Sequence, residues 1–141
     1  MTNRVVITGM GGISSIGMSV PEIYNSMKEG KSGIGVLEFP DVARLNVKTG
    51  GQIKNFDPNK HFEQKQIGRT DRFSQFALLA ANEAIRSSGL EDSREEWSEN
   101  AGIILGSSIG GIETINYSYK QVFEKGHNKL HPLTIPKIMN N

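Results

Sequence analysis

The sequence predicts an α/β protein in which buried strands alternate with helices. The apolar residues 101–105 stop at a cluster of small residues, 106–111, and a helical pattern follows at once. Residues 4–8 repeat this order, because a β-branched run is followed by glycines and then by a helical pattern. The 16 glycines fit this division, since many stand where a strand or helix pattern ends. Alternation of strand and helix favours a parallel sheet.

Composition limits the kind of protein this can be. The 141 residues suffice for one ordinary domain, and a net charge of +1 gives no reason to expect a nucleic-acid or membrane-surface partner. No apolar run approaches the roughly 18 residues of a membrane-spanning helix, and the N-terminus lacks a signal-peptide core. Cysteine is absent, which excludes a disulfide, a thiolate metal site and a cysteine nucleophile within these residues. We therefore expect a soluble, cytoplasmic domain.

The N-terminal part predicts one strand and one helix. Residues 4–8 form the strand, and the glycines after it form a tight turn. Ser19 is a candidate N-cap for a helix that ends at Gly30. Residues 31–70 are interrupted by glycines and prolines, so we expect little regular structure there beyond a short strand near 51–53.

The C-terminal part predicts two full helices and the start of a third. The clearest helix begins at Asp71 or just before it and ends at Gly89, and alanines along its apolar stripe allow another backbone to approach. A central strand at 103–105 precedes a helix over 111–124. Thr134 is a candidate N-cap for a last helix, but the sequence stops about two turns later without a C-cap. Such an end predicts a piece of a larger protein.

Residues 106–110 match the G-x-S-x-G nucleophile elbow of α/β-hydrolases, with Ser108 as the nucleophile. That mechanism also needs an acid and then a histidine later in the chain, and little sequence remains to place them on separate strands. A serine hydrolase using Ser108 therefore stays an alternative.

Two phosphate-binding motifs are incomplete. Gly106 and Gly111 have the spacing of a P-loop, but Ile112 and Glu113 stand where lysine and a hydroxyl residue must contact phosphate and magnesium. Gly9 and Gly11 begin a dinucleotide-binding pattern, but a serine occupies the third glycine position. We expect no nucleotide cofactor.

Metal binding and ion pairing give weaker signals. No metal site is expected, because no carboxylate arrangement near the histidines would complete a ligand set. The histidines are His61, His127 and His131. Lys65, Arg69 and Arg72 form a basic cluster, which is either a solvated face or a docking surface for an anionic partner.

Five short motifs occur in order along the chain. They are RVVITGMG at 4–11, KSGI at 31–34, DRF at 71–73, GSSIGG at 106–111, and residues 132–140. This ordered set resembles the N-terminal part of a β-ketoacyl-[acyl-carrier-protein] synthase, closest to the type II elongating enzymes of bacterial fatty-acid synthesis. The resemblance implies a thiolase-like fold, in which two similar βα halves pack as α-β-α-β-α layers, and an intact enzyme that forms a homodimer. Residues 1–141 would be most of the first half.

The resemblance also implies the reaction, a decarboxylative Claisen condensation. In this family a cysteine accepts an acyl group from acyl carrier protein, and two histidines assist decarboxylation of the malonyl substrate, without a cofactor or metal. The cysteine would lie beyond residue 141 and the histidines later still, so no residue here receives a catalytic role. We expect these 141 residues to be inactive alone.

By resemblance, three parts of the chain receive peripheral roles. Ile109 matches the gate of the acyl pocket, and Lys65 and Arg69 match basic positions that meet acyl carrier protein. Gly68 replaces a basic residue usual in close relatives, which would weaken that contact. The segment before the C-terminus resembles a dimer-interface helix that lines the partner's acyl tunnel, with the apolar residues Leu133, Ile135, Ile138 and Met139. A non-catalytic docking or dimerisation module is the alternative.

Overall fold

The computed structural model describes residues 4–139, with every side chain among them except that of Arg94. It contains six α-helices and two short strands in that range. They are α1 (Val20–Lys28), β1 (Gly35–Val36), β2 (Thr49–Gly50), α2 (Gln64–Arg69), α3 (Arg72–Ser88), α4 (Arg94–Trp97), α5 (Ile112–Tyr119) and α6 (Thr134–Ile138). Single 3₁₀ turns lie at Val42–Arg44, Pro58–Lys60 and Ser98–Asn100. Asn140, the last residue of the fifth motif, lies outside the described range.

The chain divides into two compact units. The first unit holds the residues up to Phe56 together with Leu79–Trp97, and the second holds Asp57–Leu78 together with the residues from Ser98 onward. No apolar side chain among the described residues is fully buried. Their buried side chains are polar, namely those of Ser26, Asp71, Gln75, Ser118 and Gln121.

In the first unit, α1 confirms the predicted capping. The Ser19 hydroxyl accepts a hydrogen bond from the backbone N–H of Glu22 at 3.4 Å, a proline occupies the first turn, and Gly30 follows the helix with a φ of 67°. A hydroxyl N-cap satisfies an N–H that the helix itself leaves unpaired, and glycine adopts the left-handed conformation without strain. The start and end of α1 are therefore determined locally.

The C-terminal part of α3 packs against the backbone of the glycine turn. A Cβ atom added to Gly9 or Gly11 would overlap the carbonyl oxygen of Ala84 or Ala80, respectively. Glu83, on the same helix, accepts hydrogen bonds from the backbone N–H groups of Gly12 at 2.9 Å and Val20 at 2.8 Å. The predicted close approach of another backbone to the alanine stripe is confirmed, and a carboxylate joins α3 to both the turn and α1.

The predicted parallel sheet is wrong for the described residues. Neither 4–8 nor 103–105 forms a paired strand there, and the sheet that does form pairs β1 with β2 antiparallel, two residues from each. A strand needs a neighbour to receive its backbone hydrogen bonds, and the described residues supply none to these two segments. Their side chains are correspondingly exposed, 94% for Val5 and 100% for Ile104.

The segment 31–70 contains more regular structure than the sequence predicted. It holds β1, β2, two 3₁₀ turns and α2, and the second strand lies at Thr49–Gly50 rather than at 51–53. The signal for α2 is a capping interaction, since the Glu63 N–H donates to the side-chain oxygen of Gln66 at 3.1 Å. Six residues are too few to establish an apolar period, so this helix escaped detection.

In the second unit, the helix predicted over 111–124 has two parts. α5 ends at Tyr119, and a π-helical turn continues over Lys120–Glu124, with Gly126 following at a φ of 68°. The prediction for Thr134 was wrong in one respect: Leu133 occupies the N-cap of α6 and Thr134 is its first helical residue. Leu133 supplies no side-chain acceptor, so this cap has no hydrogen-bonding signature in the sequence.

Candidate functional site

The turn at 106–111 carries Ile109 at its outer edge. Gly110 has a φ of 79°, a conformation that glycine adopts freely, and its N–H donates to the Ser107 hydroxyl at 3.2 Å. The Gly110 carbonyl accepts from the N–H of Ile112 at 2.8 Å, which leads the chain into α5. Ile109 is 64% exposed. The turn therefore presents a branched apolar side chain beside a position where glycine permits a change of backbone conformation.

Gly111 brings the start of α5 against α6. Its N–H donates to the carbonyl of Ile138 at 3.2 Å, and an added Cβ would lie 2.6 Å from the carbonyl oxygen of Lys137. Contact this close requires glycine, because atoms at that separation overlap. The turn and the predicted interface segment are thus neighbours within the second unit.

Asp71 secures the other side of the same junction. Its side chain is buried, and its Oδ2 accepts hydrogen bonds from both the backbone N–H of Thr114, at 2.8 Å, and the Thr114 hydroxyl. A carboxylate is favourable near the N-terminus of a helix, where backbone N–H groups lack partners inside the helix. Beside it, Arg72 pairs with Glu113 at 3.5 Å, which also links α3 to α5.

Lys65 and Arg69 occupy one exposed face of α2. They are four residues apart, which places them on the same side of a helix. Within residues 4–139 neither forms an ion pair with a carboxylate. Nothing lies within 4 Å of a Cβ added to Gly68, so a larger side chain would fit there. We call Lys65 and Arg69 the basic face of α2.

The predicted basic cluster is reduced to Lys65 and Arg69, because the Arg72 side chain has partners of its own. Its guanidinium lies 5.3 Å from the ring centre of Phe76 as well as pairing with Glu113. Because the Arg72 guanidinium is already paired, it links α3 to α5 and is not a free charge for a partner.

The four apolar residues near the C-terminus divide between two environments. Leu133 and Ile138 are half-buried, whereas Ile135 is 60% exposed and Met139 is 47% exposed. Further apolar side chains on α5 and its π-helical turn are exposed, namely Ile112, Ile115, Tyr119 and Phe123. The second unit therefore leaves apolar surface uncovered on both helices.

Ser108 lacks the neighbours of a hydrolase nucleophile in the described part of the chain. No hydrogen bond joins its side chain to a histidine or carboxylate there, and His131 Nδ1 instead accepts the backbone N–H of Leu133 at 3.1 Å. The described residues also contain no group of three or more side chains placed to hold a metal ion. None of their helices has the length and apolar character required to span a bilayer.

No pattern in the sequence indicates the Asp71–Thr114 contact. Asp71 was recognisable as the start of a helix, but its partner lies 43 residues away. An aspartate before a helix predicts a local cap, and nothing in a single sequence identifies a distant second role. Thr114 belongs to none of the motifs in the sequence.

The class of protein is that of the thiolase-like ketosynthase fold, which the likeness to solved structures shows. Solved ketosynthases have the same architecture, among them the ishigamide ketosynthase/chain length factor (TM-score 0.76, 24% identity, 95% of this chain and 33% of that one). A β-ketoacyl synthase from Burkholderia phymatum gives a TM-score of 0.77 at 24% identity, over 99% of this chain and 34% of that one. The chain belongs to the β-ketoacyl synthase family, whose N-terminal domain matches residues 2–141.

Relatives with curated names support the same family. The chain is 37% identical over 136 residues to 3-oxoacyl-[acyl-carrier-protein] synthase 2 of Staphylococcus aureus, which covers 96% of this chain. It is 34% identical to the enzyme of the same name from Vibrio harveyi over 98% of its length. In both comparisons the chain spans 33% of the relative. A more distant neighbour is a type II PKS acyl-carrier protein in complex with its ketosynthase (TM-score 0.65, 19% identity, 99% of this chain and 37% of that one).

Proposed function

We propose that these residues form the first third of a cytoplasmic β-ketoacyl-[acyl-carrier-protein] synthase that elongates acyl chains in fatty-acid synthesis. The observation that carries the proposal is the family match over residues 2–141, together with relatives at 37% identity named 3-oxoacyl-[acyl-carrier-protein] synthase 2. The structural likeness to ketosynthases supports the fold on which the proposal depends.

The chemistry divides between this chain and the part that its relatives have in addition. A cysteine thiolate takes the acyl group from carrier protein and forms a thioester; malonyl-carrier protein then loses carbon dioxide, and its carbanion attacks that thioester and releases the thiolate. The product is a 3-oxoacyl-carrier protein two carbons longer. The 141 residues contain no cysteine, so the nucleophile must come from elsewhere.

Within this reaction the chain supplies the acyl gate and a wall of the acyl tunnel. Ile109 acts as the gate, and this role is supported by its exposure and by the left-handed conformation of Gly110 beside it. The exposed Ile135 and Met139 on and after α6 suit a surface covered by the second subunit of a homodimer.

The basic face of α2 is the docking surface for acyl carrier protein. Its two side chains are exposed and lack internal carboxylate partners among the described residues, so their charge is available to an acidic protein. Charges at the rim of such a complex mainly accelerate association and make it sensitive to salt.

A chimera tests the catalytic proposal. Residues 1–141 replace the corresponding first third of the Staphylococcus aureus relative. The measurement is elongation of the acyl group carried by acyl carrier protein. We expect condensation by the folded chimera and none by the 141-residue chain alone, because that chain has no cysteine. Turnover by the chain alone would contradict its inactivity, and a folded, inactive chimera would contradict the catalytic role.

A second candidate function, a non-catalytic docking module, is favoured by the basic face of α2 combined with the absence of cysteine. Both functions require docking, so Lys65→Glu combined with Arg69→Glu should weaken carrier-protein binding by roughly tenfold at low salt. Lys28→Glu combined with Lys48→Glu is the matched control, since it changes the charge equally at exposed sites elsewhere. Equal loss in both variants would refute a specific docking face, and the chimera then separates the two functions.

A further inference from the structure

The junction between α2 and α3 is fixed from both sides. The Thr70 hydroxyl donates to the carbonyl of Gln66 at 2.7 Å, at the end of α2. The side-chain amide of Gln75, buried on α3, donates to the Thr70 hydroxyl oxygen at 3.3 Å. A displacement of α2 must therefore either break these bonds or move the first turn of α3 as well.

Asp71 is the next residue, and it extends the connection to α5. Its Oδ2 holds the N–H and hydroxyl of Thr114, and the same oxygen lies 3.1 Å from where a Cβ of Gly111 would be. An unpaired buried carboxylate is costly, so it keeps its donors when either helix shifts. The start of α5 consequently follows Asp71.

The turn that carries Ile109 leads directly into this start of α5. Gly111 is attached to α6 through its bond to the Ile138 carbonyl, and Gly110 before it is already left-handed. The close contacts of Gly111 leave it little room to move independently of α5, so a shift of the start of α5 is taken up by rotation at Gly110, where the backbone freedom of glycine makes it inexpensive. Motion at Asp71 is therefore passed to the orientation of the turn.

We propose that Asp71 is a positioning residue that couples the basic face of α2 to the Ile109 turn, so that docking of an acidic carrier protein re-orients the turn. The proposal rests on the docking role given above. In addition to capping α5, the buried Asp71 carboxylate transmits a docking signal from α2 to α5.

The test is a backbone amide titration of the full, ¹⁵N-labelled chain with acyl carrier protein. In the unsubstituted chain we expect the amide signals of Gly111 and Thr114 to shift along with those of the docking helix. In Asp71→Ala, which removes the acceptor oxygen altogether, carrier-protein affinity should change by no more than about twofold, while the shifts at both amides fall to a small fraction. Thr114→Ser keeps both donors and should leave these shifts as they are in the unsubstituted chain.

Two further variants, one control and one independent test, complete the experiment. Asp92→Ala removes one carboxylate from an exposed turn and should leave every shift unchanged. Thr114→Val removes the hydroxyl but keeps the N–H, so it tests the coupling even if Asp71→Ala does not fold, and it should reduce the shifts partially.

The outcomes separate the coupling from docking itself. Docking without shifts at Gly111 and Thr114 would overturn the coupling and leave the docking role intact. Equal shifts in Asp71→Ala or Thr114→Val and in the unsubstituted chain would overturn the assignment to Asp71. Absence of any binding would overturn the docking role and the coupling together.

Discussion

Glu83 provides the sharpest test of how the first unit is held together. The conservative substitution Glu83→Gln keeps the size of the side chain but replaces one acceptor oxygen with a donor NH₂ group. Only one of the two N–H groups, that of Gly12 or that of Val20, can then be satisfied. The substitution therefore probes one charge-assisted hydrogen bond with almost no change in packing.

The expected magnitude follows from the number and type of these bonds. A hydrogen bond to a charged group contributes about 1.5–3 kcal/mol, so opening of the affected amides becomes easier by that amount. Amide hydrogen exchange at whichever of Gly12 and Val20 loses its acceptor should then accelerate by roughly 10- to 150-fold. The Lys31 amide, which donates to the carbonyl of Ser26 in the same unit, should exchange at its original rate.

Glu95→Gln is the matched control, because Glu95 is exposed in the first turn of α4. It should change exchange at Gly12 and Val20 by less than about threefold. Rates at those two amides that match the control, in a folded Glu83→Gln chain, would show that the carboxylate does not hold the turn and α1. The stripe of alanines and glycines would then have to account for the contact.

Two further predictions concern the second unit. Gly111→Ala should cost about 1–3 kcal/mol of stability, because the new methyl meets the Lys137 carbonyl, whereas Gly106→Ala enters open space; thermal unfolding of the two variants compares them, and equal effects would contradict the close approach. The pKa of Asp57 lies below its ordinary 3.8, chiefly because the Asn59 side chain donates to its carboxylate, with a further bond from the Asn59 N–H. Its stabilising contribution is therefore present above pH 3.8 and lost as pH falls through the lowered pKa, and Asn59→Ala should raise that pKa in an NMR titration. An unchanged pKa would show that the hydrogen bonds from Asn59 do not cause the lowered pKa of Asp57.

Local signals in the sequence were sufficient for α1 and α3. Ser19 and Gly30 mark the ends of α1, and Gly89, with a φ of 71°, marks the end of α3. Each signal acts through bonds or backbone conformations within a few residues, so it is present in the sequence itself. The same holds for the turn that carries Ile109, which small residues identify.

Interactions between distant segments could not be predicted in this way. A β-branched run at 4–8 states only that the segment is suited to a strand, and whether it pairs depends on neighbours elsewhere. The clamp between Asp71 and Thr114 is equally non-local, since neither residue has a pattern that indicates the other. The docking role proposed for Lys65 and Arg69 comes from family resemblance, because a basic pair on a short helix does not indicate such a role alone.

The apolar segments 5–7 and 103–105 are exposed because their strand pairing depends on distant residues. Full burial of one aliphatic side chain contributes about 1.5–3 kcal/mol, so covering 5–7 and 103–105 would contribute on the order of 10 kcal/mol. That amount is comparable to the whole stability of an ordinary domain. Local signals therefore form the helices and the turn, whereas strand pairing at 5–7 and 103–105 requires surface that the described residues do not provide. The relatives are about three times as long as this chain, and their additional length is the natural source of that surface under the proposed function.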